Sequence, residues 1–277
     1  MLKQTLLAFT VLGVAGSAAA ADITNPFFLP EAMHVNSVTS FDFARTQRKS
    51  KGAVVEALPG STGPATTVEG AQNTRSYEKI ATEKLQFGIL NNLALIGEIG
   101  KTWLKGKDLL EGDSGKWHND LDWNAGLAWN ILSCGTKLQV SSVYGQDAPG
   151  EKGTYKYFDT GVKLGYQFKT FLPYVTFNVH TPVGQTNQDR LNKWSYNGKV
   201  GVYQGKCGVW ALDTALAWAF DRTAEHGRYL SAEAEASYYL TKNMTLGVYG
   251  SYMLDGKAKG QTDVYDKTVG ARLRLYF

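Results

Sequence analysis

The final stretch of the chain, KTVGARLRLYF, alternates without a break. Val269, Ala271, Leu273, Leu275 and Phe277 fall on one side, and Thr268, Gly270, Arg272, Arg274 and Tyr276 on the other. A period of two is the signature of a strand. In a soluble sheet, a last strand that turns two arginines inward is hard to place. In a barrel with lipid outside and a wet interior, this alternation is the expected one.

The same pattern recurs along the chain. In LDWNAGLAWNI, Leu121, Trp123, Ala125, Leu127, Trp129 and Ile131 share one face. WALDTALAWAF and FDTGVKLGYQF repeat it, with Trp210 and Trp218 on one face of the first and Phe158 and Phe168 on one face of the second. Helical spacing would scatter these residues around a cylinder. Strands are predicted near 34–45, 75–90, 93–105, 117–131, 136–146, 155–169, 172–180, 193–204, 208–221, 228–241, 243–254 and 265–277. The connections after even strands (LNN, SCG, KTF, QGKC, TKN) are short, and most of those after odd strands are longer. Short turns at one end and long loops at the other fit an antiparallel, up-and-down, all-β transmembrane barrel of twelve strands, with the short turns periplasmic.

The beginning of the chain agrees. Lys3, the apolar run Leu6–Val14 and the small-residue stretch GSAAAAD make a secretory leader. Residues 1–21 are read as that leader, 22–33 as a periplasmic N-terminal segment and 34–277 as the barrel. The leader's only charge is Lys3, so the formal charge falls from +4 to +3 on its removal. Basic residues are interspersed with acidic ones, which argues against a nucleic-acid partner.

Tryptophans test the lipid reading. Trp210 and Trp218 lie eight residues apart on one face, roughly 19 Å along the membrane normal for a strand tilted near 45°. That suits two interfacial belts. Trp129 and Trp210 are assigned to the lower belt, and Trp117, Trp194 and Trp218 to the upper. Leader, even strand count, asymmetric loops and the terminal Phe277 together resemble the bacterial outer-membrane β-barrel proteins. The resemblance implies placement in the outer membrane among lipid and lipopolysaccharide. It also implies recognition of the last strand, through Phe277, by the barrel-assembly machinery; Leu275 departs from the aromatic often found third from the end.

Function is read from the inward parity. Lys84, Glu98, Lys163, Lys199, Asp213, Glu233, Glu235, Arg272 and Arg274 are expected to line the lumen. Register suggests Lys84 opposite Glu98, Lys199 near Asp213, and Arg272 and Arg274 reaching Glu233 and Glu235 over the bare Gly247. Many small inward residues favour a wet channel, and the expected function is passive, porin-like diffusion of small hydrophilic solutes. Paired charges would equally suit a closed structural or surface-interaction barrel, with a lipid-modifying or hydrolytic enzyme third. Phe27, Phe28 and Leu29, set between Pro26 and Pro30, are a candidate plug, either inside the periplasmic mouth or packed on the outer rim. The loop GAVVEALPGSTGPATTVEG is the other candidate constriction.

Catalytic and metal readings are thin. His34, His118, His180 and His226 have no metal-binding spacing. His180, Ser195 and Asp189 could make a nucleophile in principle, without a flanking motif, and Asp120 and Asp122 have no further support as a metal site. No cofactor is expected. Cys134 and Cys207 fall in different periplasmic turns, on the order of 20 Å apart across a twelve-stranded barrel and beyond the roughly 7 Å reach of a disulfide.

Overall fold

The computed structural model describes residues 22–50, 72–107, 118–147, 155–183, 194–220, 227–257 and 261–277. The leader, the first long loop, Trp117, Asp189 and His226 lie outside the described residues, as does the side chain of Asp120.

Twelve strands follow one another: β1 Val35–Ser50, β2 Gln72–Leu90, β3 Leu93–Lys107, β4 His118–Leu132, β5 Thr136–Asp147, β6 Tyr155–Tyr166, β7 Phe171–Pro182, β8 Ser195–Lys206, β9 Trp210–Phe220, β10 Arg228–Thr241, β11 Met244–Lys257 and β12 Gln261–Tyr276. Each pairs antiparallel with its chain neighbours, and β12 closes on β1. Just past β12, the Phe277 amide donates to the Val35 carbonyl (3.0 Å) and the Val35 amide returns the bond (2.7 Å). Closure leaves no unpaired edge, which is the condition for a sheet to cross a bilayer.

All twelve expected strands are present, with shifted ends. β1 runs to Ser50 rather than 45, because its polar end ARTQRKS is laddered on both sides, by β2 and by β12. No apolar alternation marks that stretch in the sequence. β6 stops at Tyr166 instead of 169, where the Gln167 amide turns to the Gly135 carbonyl (2.7 Å). Across the β2–β3 turn the register slips between Gly88 and Leu90, so Leu90 faces Leu93, and Lys84 stands opposite Glu98 as expected.

The outward parity is apolar. Phe43, Val200 and Val248 are 57, 59 and 60 % exposed, an arrangement that is unfavourable in water and ordinary in lipid. Trp129, Trp210 and Tyr238 mark the periplasmic end, with Tyr238 directly opposite Trp210. Trp194, Trp218 and Phe220 mark the other end, with Trp218 packed on Phe177 at 5.9 Å.

One acidic side chain breaks this band. Glu83 has outward parity on β2, and its two carboxylate oxygens accept hydrogen bonds from Ser37 and Thr39 of β1, each at 2.5 Å. A charge at this position needs such partners. Replacing both hydroxyl residues, Ser37→Ala with Thr39→Val, is expected to cost about 2–4 kcal/mol, since two bonds to a charged acceptor are lost. Glu83→Leu on that background should recover most of it, read from the temperature at which folded gel mobility is lost.

Candidate functional site: the lumen and its periplasmic floor

The inward faces of β6, β7 and β8 form rungs. From the periplasmic end upward these are Gly165–Tyr174–Gly201, Lys163–Thr176–Lys199, Gly161–Asn178–Asn197 and Asp159–His180–Ser195. Alternation alone brings them inside; the antiparallel register aligns them across the three strands.

Residues 22–34 enter this interior at its periplasmic end. The segment is folded by its own turns. The Asn25 side chain accepts from the Phe27 amide (2.9 Å), and the Phe28 amide donates to the Asn25 carbonyl (2.9 Å). Met33, at φ 67°, makes the bend into β1, with its amide on the Gly88 carbonyl (2.8 Å). Phe27 packs with Leu172, Tyr174, Tyr203 and Ala211. Ile23, with Phe28 beside it, packs on Tyr239 and Tyr276. Leu29 fills the space left by Ala94 and Ala128. These partners come from strands on opposite sides of the ring, so the segment spans the mouth. Of the two placements open at the sequence level, the one inside the mouth is found and the one on the outer rim is not.

Polar side chains hold the segment's backbone. Asn130 (3.0 Å) and Gln139 (3.4 Å) donate to the Phe27 carbonyl, and Lys163 donates to that of Pro26 (2.9 Å). The Tyr203 hydroxyl donates to Asp22 (2.5 Å) and meets the Thr24 hydroxyl (2.7 Å), while Tyr239 donates to Asp22 (3.2 Å). None of Asp22, Thr24, Asn130, Gln139, Tyr203 and Tyr239 was singled out from sequence. A signal existed: the inward positions nearest the short turns are unusually rich in tyrosine and amides.

Above this floor lies a polar cavity of about 410 Å³, lined by Lys84, Glu98, Lys163, Lys199, Asp213, Glu235, Arg272 and Arg274. Glu233 lines an adjoining space of about 190 Å³. All nine expected lumen residues therefore face the interior, but their pairing differs from the sequence reading. Arg272 and Arg274 both converge on Glu235, the latter at 2.5 Å, across Gly247. A Cβ on Gly247 would sit 3.1 Å from the Glu235 carboxylate. Glu233 instead pairs with Lys199 (3.2 Å). Lys199 stands opposite Ala217 in register and lines one interior space with Asp213, which accepts from the Tyr174 hydroxyl at 2.8 and 3.0 Å. Lys84 and Glu98 are register partners without an ion pair among the described residues. Arg272 also lies over the Tyr249 ring at 4.1 Å.

Near the opposite end, His180 contacts Asp159 at 2.6 Å and faces Ser195 in register. Asp159 is brought beside His180 by strand pairing, while the loop residue Asp189 lies outside the described residues. Among the described residues no group of acidic, histidine or cysteine side chains could hold a metal ion. Asp122 lines a separate interior space with Glu98 and Tyr157.

Cys134 and Cys207 are both exposed in their separate turns, and no disulfide joins them. Burial first, and then the Asp22 carboxylate of the segment, push the Cys207 thiol up from its ordinary value. A raised value means less thiolate at a given pH. Asp22→Asn removes one cause, so in a Cys134→Ser background Cys207 should be alkylated faster at pH 8. The midpoint of its pH–rate profile should shift downward. An unchanged profile would place Asp22 away from this turn.

Residues 160–273 match the family described as "Putative MetA-pathway of phenol degradation". No curated protein sequence matches the chain. Among solved structures, an outer-membrane channel from Pseudomonas putida F1 aligns with a TM-score of 0.61 at 11% identity, covering 96% of this chain and 100% of that one. A FadL homologue from Pseudomonas aeruginosa gives 0.46 at 9%, covering 88% and 90%. The toluene transporter TbuX from Ralstonia pickettii gives 0.45 at 12%, covering 95% of each. Closed twelve-strand topology, apolar exterior and polar lumen, together with the first of these alignments, make this chain an outer-membrane β-barrel.

Proposed function

We propose that this barrel is a channel for small solutes that is shut at rest by its own N-terminal segment. The observation that carries the reading is the burial of Ile23, Phe27 and Leu29, at 3, 5 and 7 % exposure, against strands on opposite sides of the periplasmic mouth. A polar, charge-lined cavity above them supports passage of solutes with hydrogen-bonding groups. An always-open hydrophilic pore is the weaker form of this reading, because the segment occupies the exit. A braced, permanently closed barrel is weaker too: several of the groups that grip the segment are hydrogen bonds worth about 1 kcal/mol each and exchangeable with water.

The channel's solutes include small aromatic molecules carrying a polar group. Two observations favour this: the matched family's description names phenol degradation, and Tyr174, Tyr203 and Tyr239 surround the segment. Liposome swelling tests the channel reading. Vesicles with the mature protein should swell slowly in a small sugar or in a hydroxylated aromatic such as resorcinol, and several-fold faster once residues 23–29 are deleted. Equal, slow swelling of both proteins, each folded by heat-modifiable mobility, would overturn it.

A further inference from the structure

We infer that the rung directly above the floor, Lys163–Thr176–Lys199, is a binding site for a small monocarboxylate. The inference rests on the channel reading and adds a solute class to it. Lys163 and Lys199 stand on either side of Thr176 in register, on β6, β8 and the intervening β7. All three line the cavity of about 410 Å³. Thr176 is 3 % exposed, and its hydroxyl has no hydrogen-bond partner among the described residues. A buried hydroxyl left unmatched is costly, and on a residue that lines a polar cavity a rotation about χ1 can turn it to what enters there.

The charges select the ligand. Lys199 is already matched by Glu233 at 3.2 Å. Lys163 reaches a neutral carbonyl, that of Pro26, and no carboxylate lies within ion-pair distance of it among the described residues. The nearby acid of the same cavity, Asp213, is engaged by the Tyr174 hydroxyl. Lys163 and Lys84 are thus both without an ion-pair partner among the described residues, and the one ammonium beside Thr176 suits a single carboxylate in contact. A carboxylate has two oxygens to share between the Lys163 ammonium and the Thr176 hydroxyl, and charge-assisted bonds of this kind are stronger than the existing bond to a neutral carbonyl. Lys163 is common to the site and to the floor, so an occupant draws on the same ammonium that holds Pro26.

Equilibrium dialysis of labelled benzoate against the full mature barrel in detergent tests this. Saturable binding is expected, displaced by excess acetate and not by the neutral isostere benzamide. The near-isosteric Thr176→Val should weaken it at least tenfold, as should Lys163→Gln, while Lys242→Gln in the exposed β10–β11 turn should leave it unchanged. Equal affinity for benzamide, or undiminished binding by a folded Thr176→Val barrel, would overturn the site. Binding is read without any current or flux. A barrel that binds benzoate but never conducts after removal of 23–29 keeps this inference and loses the channel reading; one that conducts but does not bind does the reverse.

Discussion

Gly88→Val is expected to turn the shut barrel into a conducting one. A Cβ at this position would lie 1.9 Å from the Glu31 carbonyl oxygen, 2.6 Å from its carbon and 2.7 Å from the Pro30 oxygen. All three are backbone atoms of the N-terminal segment, so no rotamer change relieves the clash. The strand is laddered to β1 and β3, whereas the segment is tied by single bonds, and the segment is therefore the partner that moves. Gly88 also exchanges two backbone bonds with it, His34 carbonyl to Gly88 amide (2.9 Å) and Gly88 carbonyl to Met33 amide (2.8 Å). Overpacking of this kind costs about 1–3 kcal/mol, enough to shift a closed state held by a few hydrogen bonds and three apolar side chains. The barrel itself should keep its heat-modifiable mobility. A folded, silent Gly88→Val protein would mean that the segment seals the mouth without its seat on β2.

The second large effect is on stability. Glu235→Ala strips two guanidiniums of one shared carboxylate, and Glu235 and Arg274 are both 11 % exposed. Breaking such a pair leaves uncompensated charge, at a cost of about 3–5 kcal/mol when fully buried and less in a lumen that water can enter. Arg272 retains the Tyr249 ring; among the described residues, Arg274 keeps a long bond to Ser237 (3.3 Å). The unfolding midpoint in urea should fall, and Arg274→Leu on the Glu235→Ala background should recover part of the loss. If the single variant unfolds at the wild-type midpoint, lumenal water solvates the arginines and the cluster is not a brace.

Period-two alternation, short turns and aromatic ends report which way each side chain points, and parity carried all nine charged residues to the interior. Pairing is a different matter. It depends on register and on reach: Arg272 and Arg274 meet Glu235 because Gly247 leaves the wall bare between them, and Glu233 goes to Lys199 because the strand partner of Lys199 is the small Ala217. The slip between Gly88 and Leu90 has no marker in LNN. The destination of Phe27, Phe28 and Leu29 was likewise undetermined, since apolar residues between prolines can pack inside a mouth or on a rim. What decides it is the complementary carving of the wall at Gly88, Ala94 and Ala128, which are register partners across β2, β3 and β4, and at Gly165 on β6, where Phe27 packs.

Single-channel recording from the purified mature protein in a planar bilayer tests the closure of the mouth most directly. Wild-type protein should insert and stay electrically quiet, with rare brief openings. The variant lacking residues 23–29 should give discrete, long-lived current steps. Steady wild-type steps of the same size as those of the deletion would contradict the account, because the segment would then occupy the mouth without closing it.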